Sequence, residues 1–332
     1  MNTDKKEFAV LAITRGGLLL GEKLAEELQC DVFPCKGKLK ITIRQVWKNY
    51  RKIICIMAAG IVVRSIAPLM VDKYTDPAVV VCDEQGRFAI SLVSGHIGGA
   101  NELAQNVAKL LGGTAVITTA SDVLGLTALD LWCRSLNLTV DPSTPLTDRM
   151  GKLIDHGSQR VYSDYPLPEM PSDLISTGNR QAADLIISSR MYGDTKNATR
   201  LYPRSLAVGI GCKKGVPVSV IEATVYKVFA EYSLAFHSIA VIASIDLKKE
   251  EQGLLDFAEK IGRPIVFYPK DELNLVKYAD FSAKVFEVTG AKGVAEPAAL
   301  LTAAVDTLLV KKQKGPGVTV AIAELASPFT AR

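Results

Sequence analysis

The sequence lacks the features that mark membrane proteins, nucleic-acid binders and zinc proteins. No apolar run reaches the ~18 residues that a membrane-spanning helix needs. Lysine and arginine number 39 against 35 aspartates and glutamates, which is not the basic excess of a nucleic-acid binder. Three histidines and no Cys-x-x-Cys pair leave few ligands for zinc. We therefore expect no membrane, no nucleic acid and no resident metal.

The cysteines and the first residues indicate a reducing compartment. Several of the six cysteines, including Cys55 and Cys82, lie inside apolar runs, where a thiol behaves as a small hydrophobe. Residues 1–7 show no basic start before an apolar core, which a secretory signal would have. We expect a cytoplasmic protein with reduced thiols.

Apolar side chains, by contrast, are plentiful enough for more than one core. The chain has 332 residues, of which 48% are hydrophobic, and this length suits two or three domains. Short β-rich runs alternate with helix-period runs, which predicts sheets of mainly parallel strands covered by helices. We predict an α/β fold with one α/β domain over 1–140, a second over 205–332, and a Pro-rich region, 141–204, that joins them.

Hydrophobic period and turn residues give the individual elements. In the first domain, strands are predicted at Phe8–Thr14, Ile53–Ala58, Ala78–Cys82, Phe88–Val93 and Thr114–Thr118. Arg15–Gly17 is predicted as a turn, and 83–86 as a hairpin turn. In the last domain, strands are predicted at Leu206–Ile210, Ser238–Ser244, Pro264–Tyr268 and Val318–Ala323. Pro297 is predicted to begin a helix that reaches Leu308.

The middle region differs in composition from both domains. Five of the 15 prolines fall between Pro142 and Pro171, and proline at that density blocks long regular elements. Only Leu185–Ser189 has the pattern of a strand. We interpret the region as a linker or a small inserted subdomain, and the sequence leaves both open.

Ligands of open α/β sheets bind where strands end and helices begin. The first such junction reads Ser-Gly-His-Ile-Gly-Gly-Ala-Asn-Glu from Ser94 to Glu102. Its glycines let the backbone approach a ligand closely, and the helix start offers amides to an anion. His96 is the candidate acid or base, and Glu102 is the candidate for orienting it. The structural alternative is a tight turn whose histidine caps a helix.

The second junction is Gly209–Gly215, which holds two lysines. Its third glycine comes four residues after Gly211 rather than three, so it departs from the dinucleotide pattern, and NAD is a minor alternative. Lys213 and Lys214 favour carboxylates or phosphates as partners. Glu222, on the following helix, would then lie near the loop. The structural alternative is a solvated basic turn.

The third and fourth junctions carry one charged candidate each. Gly60 and Arg64 belong to a small-residue turn that starts a helix, and Arg64 suits a carboxylate. Asp122 follows a predicted strand and is favoured as a helix N-cap, with a role as base as the alternative.

Several of these junctions fall inside blocks that resemble one family. The block Leu92–Ala104 resembles the hallmark of cobalt-precorrin-5A hydrolases of anaerobic cobalamin biosynthesis. Five other blocks also resemble the family, in matching order and with matching separations: Met57–Arg64, Gly209–Gly215, Tyr268–Leu273, Val294–Leu300 and Val318–Ala323. The Pro-rich middle region is the least alike.

The resemblance implies a specific reaction. The family opens the δ-lactone that links the ring A acetate to bridge carbon C20 of a cobalt-containing macrocycle. C20 then leaves with its methyl group as acetaldehyde, and cobalt-precorrin-5B forms. The enzyme is thus a hydrolase that acts on a carbon–carbon bond, and the cobalt arrives with the substrate, so no cofactor is expected.

On this interpretation His96, Glu102 and Asp122 are the candidate catalytic residues. The candidate contacts to the carboxylate-fringed substrate are Gly60, Arg64, Ser94, Gly95, Gly98, Gly99, Asn101, Gly211, Lys213, Lys214 and Glu222. The amides of Gly98 and Gly99 are candidate donors to an oxyanion. The competing hypothesis is a non-catalytic corrinoid-binding or carrier protein of the same pathway. The sequence leaves a homo-oligomer open.

Overall fold

A computed structural model of the chain describes residues 5–193, 195, 197–277 and 283–329, with the side chain of residue 284 left out. The chain divides into two compact units, Met1–Leu131 and Trp132–Arg332. Strands and helices alternate through both, so the α/β class is confirmed. The domain boundaries predicted at 140 and 204 stay predictions.

The first unit is a six-stranded sheet with helices on both faces. Its elements, in chain order, are β1 (Lys6–Ala12), α1 (Arg15–Leu28), β2 (Asp31–Pro34), α2 (Leu39–Asn49), β3 (Tyr50–Ile56), α3 (Ala59–Ile66), β4 (Ala78–Cys82), β5 (Phe88–Val93), α4 (Ala100–Leu111), β6 (Thr114–Val116) and α5 (Ala120–Leu124). A further helix, α6 (Leu129–Ser135), crosses the boundary between the units.

The strand order is β2-β1-β3-β4-β5-β6, and the direction reverses once. The first four strands are parallel, whereas β5 runs antiparallel to β4 and β6 runs parallel to β5. The turn between β4 and β5 is built on Asp83, whose carboxylate accepts the amides of Gln85 and Phe88, each at 2.8 Å. The predicted hairpin is therefore confirmed, and it makes the loops after β5 and β6 leave the sheet at the opposite edge from those after β1, β3 and β4.

Each face of this sheet has its own buried cluster. On one face Ile43 and Val46 of α2 pack with Val62 and Ile66 of α3. On the other, Leu24 of α1 packs with residues of α4 that include Val107. Burying both faces explains why the strands are continuous apolar runs rather than alternating ones.

Helix α1 begins earlier than predicted. Arg15–Gly17 is its first turn, because Thr14 caps the helix by accepting the Gly17 amide at 3.0 Å. The predicted strand Phe8–Thr14 was accordingly two residues too late at its end. Helix α2 and strand β2 were not predicted, since the run from Cys30 to Asn49 mixes lysines with apolar residues.

The Pro-rich middle region folds into a second sheet. Its elements are β7 (Thr139–Val140), α7 (Thr147–His156), β8 (Gln159–Ser163), β9 (Leu174–Ser176), β10 (Leu185–Ile187) and β11 (Thr199–Tyr202), and the strand order is β7-β11-β10-β8-β9. The prolines lie in the connections, for example Pro142 after β7 and Pro168 after β8. Strands of two to five residues give too short a pattern to recognise in a sequence.

The last part of the chain forms a third sheet, ordered β14-β13-β12-β16-β15. Its elements are β12 (Leu206–Cys212), α8 (Val218–Glu231), β13 (Ile239–Ile245), α9 (Gln252–Lys260), β14 (Ile265–Tyr268), α10 (Lys270–Leu275), α11 (Ala283–Thr289), α12 (Ala295–Ala303), β15 (Val310–Gly315) and β16 (Val318–Glu324). Helix α12 starts before Pro297 and ends at Ala303. The next residue, Ala304, has a left-handed φ of 55°, so the predicted continuation to Leu308 is wrong.

Candidate active site

The loop between β5 and α4 is a tight turn that only small residues allow. Ser94 has a φ of 58° and Gly99 one of 84°, both left-handed. The carbonyl oxygen of Ser94 accepts the Ala100 amide at 3.1 Å, which closes the turn. A Cβ on Gly98 would lie 2.5 Å from the Cβ of Ser94, so this position has no room for a side chain.

This turn places His96 beside a carboxylate from the next loop. The Nε2 atom of His96 lies 2.6 Å from Oδ2 of Asp122, which belongs to α5. The Ser121 hydroxyl is 3.4 Å from the same nitrogen. The imidazole is mostly buried, with 12% of its side chain exposed. Because β5 and β6 are parallel neighbours, the loops that follow them meet at one edge of the sheet.

A second carboxylate faces the other ring nitrogen. Oδ1 of Asp130 lies 3.9 Å from Nδ1 of His96, and its side chain is 14% exposed. That distance is too long for a direct hydrogen bond. It leaves the Nδ1 lone pair unused when Asp122 accepts the Nε2 proton, and it places a negative charge where an imidazolium would be stabilised.

Asn101 fixes the position of Asp122. Its amide nitrogen donates to Oδ2 of Asp122 at 3.0 Å and to the Thr119 hydroxyl at 3.2 Å. Its amide oxygen accepts the Ser91 hydroxyl at 2.6 Å. Asn101 is 7% exposed and so is shielded from water, whereas the Asp122 side chain is 35% exposed. A general base is commonly an imidazole that a carboxylate orients through one nitrogen, and Asp122 and His96 have this arrangement.

Two family models match the chain. The model described as Cobalamin synthesis G N-terminal covers residues 41–122, and the one described as Cobalamin synthesis G C-terminus covers 206–323. A cobalt-precorrin-5A hydrolase of Priestia megaterium is 33% identical and spans 97% of this chain and 96% of the relative. One of Salmonella typhimurium is 32% identical over 97% of this chain and 99% of the relative. The chain belongs to the cobalt-precorrin-5A hydrolase family.

The chain is also similar to a solved structure. That structure is of a cobalamin biosynthesis protein G homologue from Sulfolobus solfataricus, 22% identical, which matches 96% of this chain and 97% of that chain with a TM-score of 0.39. The first family model ends at Asp122 and so includes both partners of the His96–Asp122 pair.

Most of the candidates at the first and fourth junctions of this family member come together. His96 and Asp122 are in contact, and Asn101 holds the carboxylate. Asp122 is not an N-cap, because Thr119 occupies the cap position of α5 and Asp122 lies in the first turn. Glu102 is exposed, and among the described residues it has no hydrogen bond or ion pair to His96. The role of Glu102 as the orienting residue stays a prediction. The carboxylate that contacts the imidazole is that of Asp122.

Asp130 was missed by sequence reasoning. It lies in the first turn of α6, a helix of seven residues that was not predicted, and no motif points to it. The amide of Gly99, expected to be available to an oxyanion, donates instead to the His96 carbonyl oxygen at 3.0 Å. The Asn101 amide likewise donates to the carbonyl oxygen of Gly95 at 3.0 Å. No partner is described for the Gly98 amide within the described residues, so Gly98 remains the candidate donor.

Gly60 and Arg64 lie away from His96, at the opposite edge of the sheet. They follow β3, whose last residue Ile56 pairs with Cys82, whereas Val93 before the His96 loop pairs with Val79. A strand of seven residues separates the two edges, or about 20 Å. These residues and His96 are therefore not parts of one compact cluster.

The loop after β12 keeps its lysines on the surface. Lys213 and Lys214 are exposed. Gly211 has a packing reason, because a Cβ there would lie 2.7 Å from the Thr319 hydroxyl. Glu222 is paired with Lys260 at 2.7 Å rather than with the loop lysines. The predicted neighbourhood of Glu222 and the two loop lysines is thus not seen among the described contacts.

Glu251 anchors the end of this loop. Its carboxylate accepts the Gly215 amide at 2.5 Å and pairs with Lys248 at 2.9 Å. Burial opposes its ionisation, but the hydrogen bonds from Lys248 and Gly215 lower the pKa of Glu251 below its usual value. The charge of Lys214 adds to this lowering, and neither loop lysine has a side-chain ion pair among the described contacts.

No helix in the described part of the chain is long and apolar enough to cross a membrane. The six cysteines are all free thiols. Burial raises the pKa of Cys55 and of Cys82, the latter to about 12, so these thiols are inert core residues.

Proposed function

We propose that this chain is a cobalt-precorrin-5A hydrolase, with its catalytic centre at the His96 loop. The family to which the chain belongs supports the reaction, since two curated relatives of that name match it nearly end to end. The observation that supports the centre is the His96–Asp122 contact of 2.6 Å, beside which Nδ1 of His96 has no hydrogen-bond partner among the described residues.

In this proposal Nδ1 of His96 removes a proton from water. The water oxygen attacks the lactone carbonyl carbon, and the bond between that carbon and the lactone ring oxygen breaks. The ring oxygen stays on C20 and receives the proton that His96 took from the water. The ring A acetate becomes a free carboxylate, and C20 keeps the oxygen as a hydroxyl group. Loss of the hydroxyl proton lets the bond between C20 and the ring break, and acetaldehyde leaves. The electron pair of that bond goes to the macrocycle, whose π system and cobalt accept it.

Each neighbour of His96 has a distinct role in this scheme. Asp122 is a positioning residue, which accepts the Nε2 proton and so directs Nδ1 to the substrate side. Asp130 stabilises the imidazolium across 3.9 Å. The Gly98 amide donates to the oxyanion of the tetrahedral intermediate. Ser94, Gly95 and Gly99 hold the turn in place.

Other parts of the proposal concern binding and context. Lys213 and Lys214, exposed on a loop that Glu251 anchors, are proposed to meet carboxylates of the macrocycle. The cobalt belongs to the substrate, and no protein-bound cofactor is proposed. We also propose a cytoplasmic location, which suits six free cysteines. We propose no nucleic-acid partner, and a homo-oligomer is a further proposal.

The test is acetaldehyde release from cobalt-precorrin-5A without oxygen. Wild type, His96→Ala and His156→Ala would be compared with a reaction that lacks enzyme. His156 is the matched control, since it is exposed at the end of α7, outside the first unit. We expect His96→Ala to lose about 10²–10⁴-fold in kcat, the usual contribution of a general base.

Other outcomes would contradict the proposal in different ways. A loss of less than about tenfold in His96→Ala, with wild type active, would remove His96 as the base. Release by wild type at the background rate, with a stoichiometric change in the cobalt spectrum, would make the protein a corrinoid binder or carrier instead.

A further inference from the structure

A loop beside the His96 turn has no part in the proposed proton transfers. It comprises residues 70–77 and leads directly into β4. Strand β5 runs antiparallel to β4, with Val79 paired to Val93, so the start of β4 and the end of β5 lie at the same edge of the sheet. The 70–77 loop and the His96 turn therefore leave the sheet side by side.

Two contacts join the loop to the turn, one on each side of His96 in the sequence. The Ser94 hydroxyl donates to the carbonyl oxygen of Asp76 at 3.2 Å. A Cβ on Gly98 would lie 3.5 Å from the amide nitrogen of Ala78, the first residue of β4. Because both flanks of His96 lie against the end of the 70–77 loop, this loop borders the candidate catalytic centre.

The loop is closed on itself by its own two aspartates. The Asp76 carboxylate, on a residue that is 9% exposed, accepts the Val71 amide through both oxygens, at 3.1 and 3.0 Å. The Asp72 carboxylate accepts the amides of Tyr74 at 2.7 Å and Thr75 at 2.9 Å. The hydrogen bond from the Tyr74 amide lowers the pKa of Asp72 below its usual value. Side-chain hydrogen bonds of this kind give a loop a defined shape although its tip is in solvent.

The tip of the loop presents apolar side chains and one cation to solvent. Met70 is 45% exposed, Val71 81% and Tyr74 69%. The ammonium of Lys73 lies over the Tyr74 ring, 5.3 Å from its centroid. Three large apolar side chains exposed together on a shaped loop are typical of a binding surface. A tyrosine ring beside an ammonium suits a flat apolar ligand with carboxylates at its rim.

We propose that the 70–77 loop holds the macrocycle at the His96 centre, with the Tyr74 ring and Val71 against its flat face and Lys73 on a carboxylate of its rim. The proposal rests on the hydrolase function proposed above, which supplies the ligand. Tyr74 lies two residues from Asp76, so its Cα is within about 7 Å of the residue that touches the turn. Tyr74 is thus a positioning residue, which sets the orientation of the lactone toward His96.

The test measures binding and turnover with the same variants. Cobyrinic acid has a flat corrin ring and a carboxylate rim but no lactone, so its Kd, measured by equilibrium dialysis, reports binding alone. We expect Tyr74→Ala to raise this Kd by about three- to tenfold, the value of an aromatic contact. The KM for cobalt-precorrin-5A should rise by a similar factor, and kcat should change less than KM.

Two further variants separate the ring from the charge. Tyr74→Phe keeps the ring and should bind cobyrinic acid as wild type does. Lys73→Gln should raise the Kd by about two- to fivefold at low salt and by less at about 1 M salt, because an exposed ion pair is screened. A merely structural role of the tip would show neither the rescue by phenylalanine nor the salt dependence.

Matched controls address the place of the site. Phe88→Ala removes an aromatic ring that is 50% exposed at the opposite edge of the sheet, and Lys40→Gln removes an exposed lysine of α2. Both should leave the Kd for cobyrinic acid within about twofold. The urea midpoint of Tyr74→Ala should equal that of wild type, since the side chain is mostly exposed.

Several results would overturn the proposal. These are a wild-type Kd in Tyr74→Ala, an equal loss in Phe88→Ala, or no binding of cobyrinic acid by wild type at millimolar concentration. A changed sedimentation coefficient of Tyr74→Ala with an unchanged Kd would make the tip an interface between copies of the chain, which also contradicts it.

The two proposals fail in distinguishable ways. If wild type released no acetaldehyde above background but bound cobyrinic acid, and Tyr74→Ala weakened that binding, the hydrolase proposal would fail and the loop would still hold a macrocycle. If wild type were active and Tyr74→Ala kept the wild-type Kd and KM, the role of the loop would fail and the hydrolase proposal would stand.

Discussion

At the scale of single residues, the important feature is that His96 is held through one nitrogen only. Asp122 takes Nε2 at 2.6 Å, and Asp130 stays 3.9 Å from Nδ1. If both carboxylates bound the ring directly, no lone pair would be available to a water molecule. In the proposed mechanism, the difference of more than an ångström between the two contacts is what lets His96 act as a base.

Asp122→Asn tests this difference directly. Asparagine keeps the size of the side chain but can donate to Nε2, which favours the wrong tautomer and removes the charge. We expect kcat for acetaldehyde release to fall about 10²–10⁴-fold with little change in KM, as for other bases that lose their orienting carboxylate. Steady-state kinetics over a range of substrate concentrations measures both constants.

The control for this variant is Asp155→Asn, an exposed aspartate on α7. It should behave as wild type. Asp122→Glu, which restores the charge on a longer arm, should recover part of the rate. A rise in KM without loss of kcat in Asp122→Asn would place Asp122 in substrate binding, against the positioning role.

At the scale of elements, the turn before α4 depends on Gly98. A Cβ there would meet the Cβ of Ser94 at 2.5 Å and its carbonyl oxygen at 2.8 Å. Gly98→Ala must therefore open the turn, which moves His96. We expect a large loss of activity together with a destabilisation of about 1–3 kcal/mol, measured as the urea midpoint. Gly178→Ala, where a Cβ meets nothing within 4 Å, is the control and should unfold as wild type does.

The junction of β7 and β11 predicts a pH effect on stability. Asp141 is 7% exposed and accepts hydrogen bonds from Tyr202 at 2.6 Å and from Ser143 at 2.7 Å. Burial opposes its ionisation, but these bonds and Arg200 lower the pKa of Asp141 below its ordinary value of 3.8. A lowered pKa stabilises the fold above that value, and the contribution is lost as the pH falls through the folded pKa.

Asp141→Asn should therefore cost most near neutral pH. We expect a loss of about 1–3 kcal/mol at pH 7, because a hydrogen-bonded charge is removed from a buried position. The difference from wild type should shrink as the pH drops below about 4. Urea unfolding from pH 3 to 7 measures it, and a difference that stayed constant over this range would contradict the assignment.

Elements with long apolar runs were predictable, and short ones were not. Strands β4 and β5 have the predicted bounds because each is a buried run limited by turn residues. Strands of the middle sheet escaped because two to five residues carry no period. His96 and Asp122 could be nominated because both follow strands, whereas Asp130 follows no pattern and meets His96 only through the fold.

At the scale of the whole molecule, strand direction decided what the sequence could not. Four junctions were expected to act together, since ligands bind at the carboxyl ends of strands. The hairpin between β4 and β5 reverses the chain, so His96 and Arg64 lie at opposite edges of one sheet. The hairpin itself was predictable from residues 83–86, but its consequence for the sites required the strand order.

The proposed chemistry also makes a prediction about metals. The base is an imidazole, and the electrons released on bond cleavage go to a macrocycle that already carries cobalt, so no step calls for a metal on the protein. Protein dialysed against EDTA and returned to metal-free buffer should release acetaldehyde as fast as untreated protein. Cobalt bound in the macrocycle is not exchanged on this time scale, so chelation acts on the protein alone. A loss of rate that zinc or magnesium restored would contradict the mechanism and would require a metal ligand beside the His96 loop.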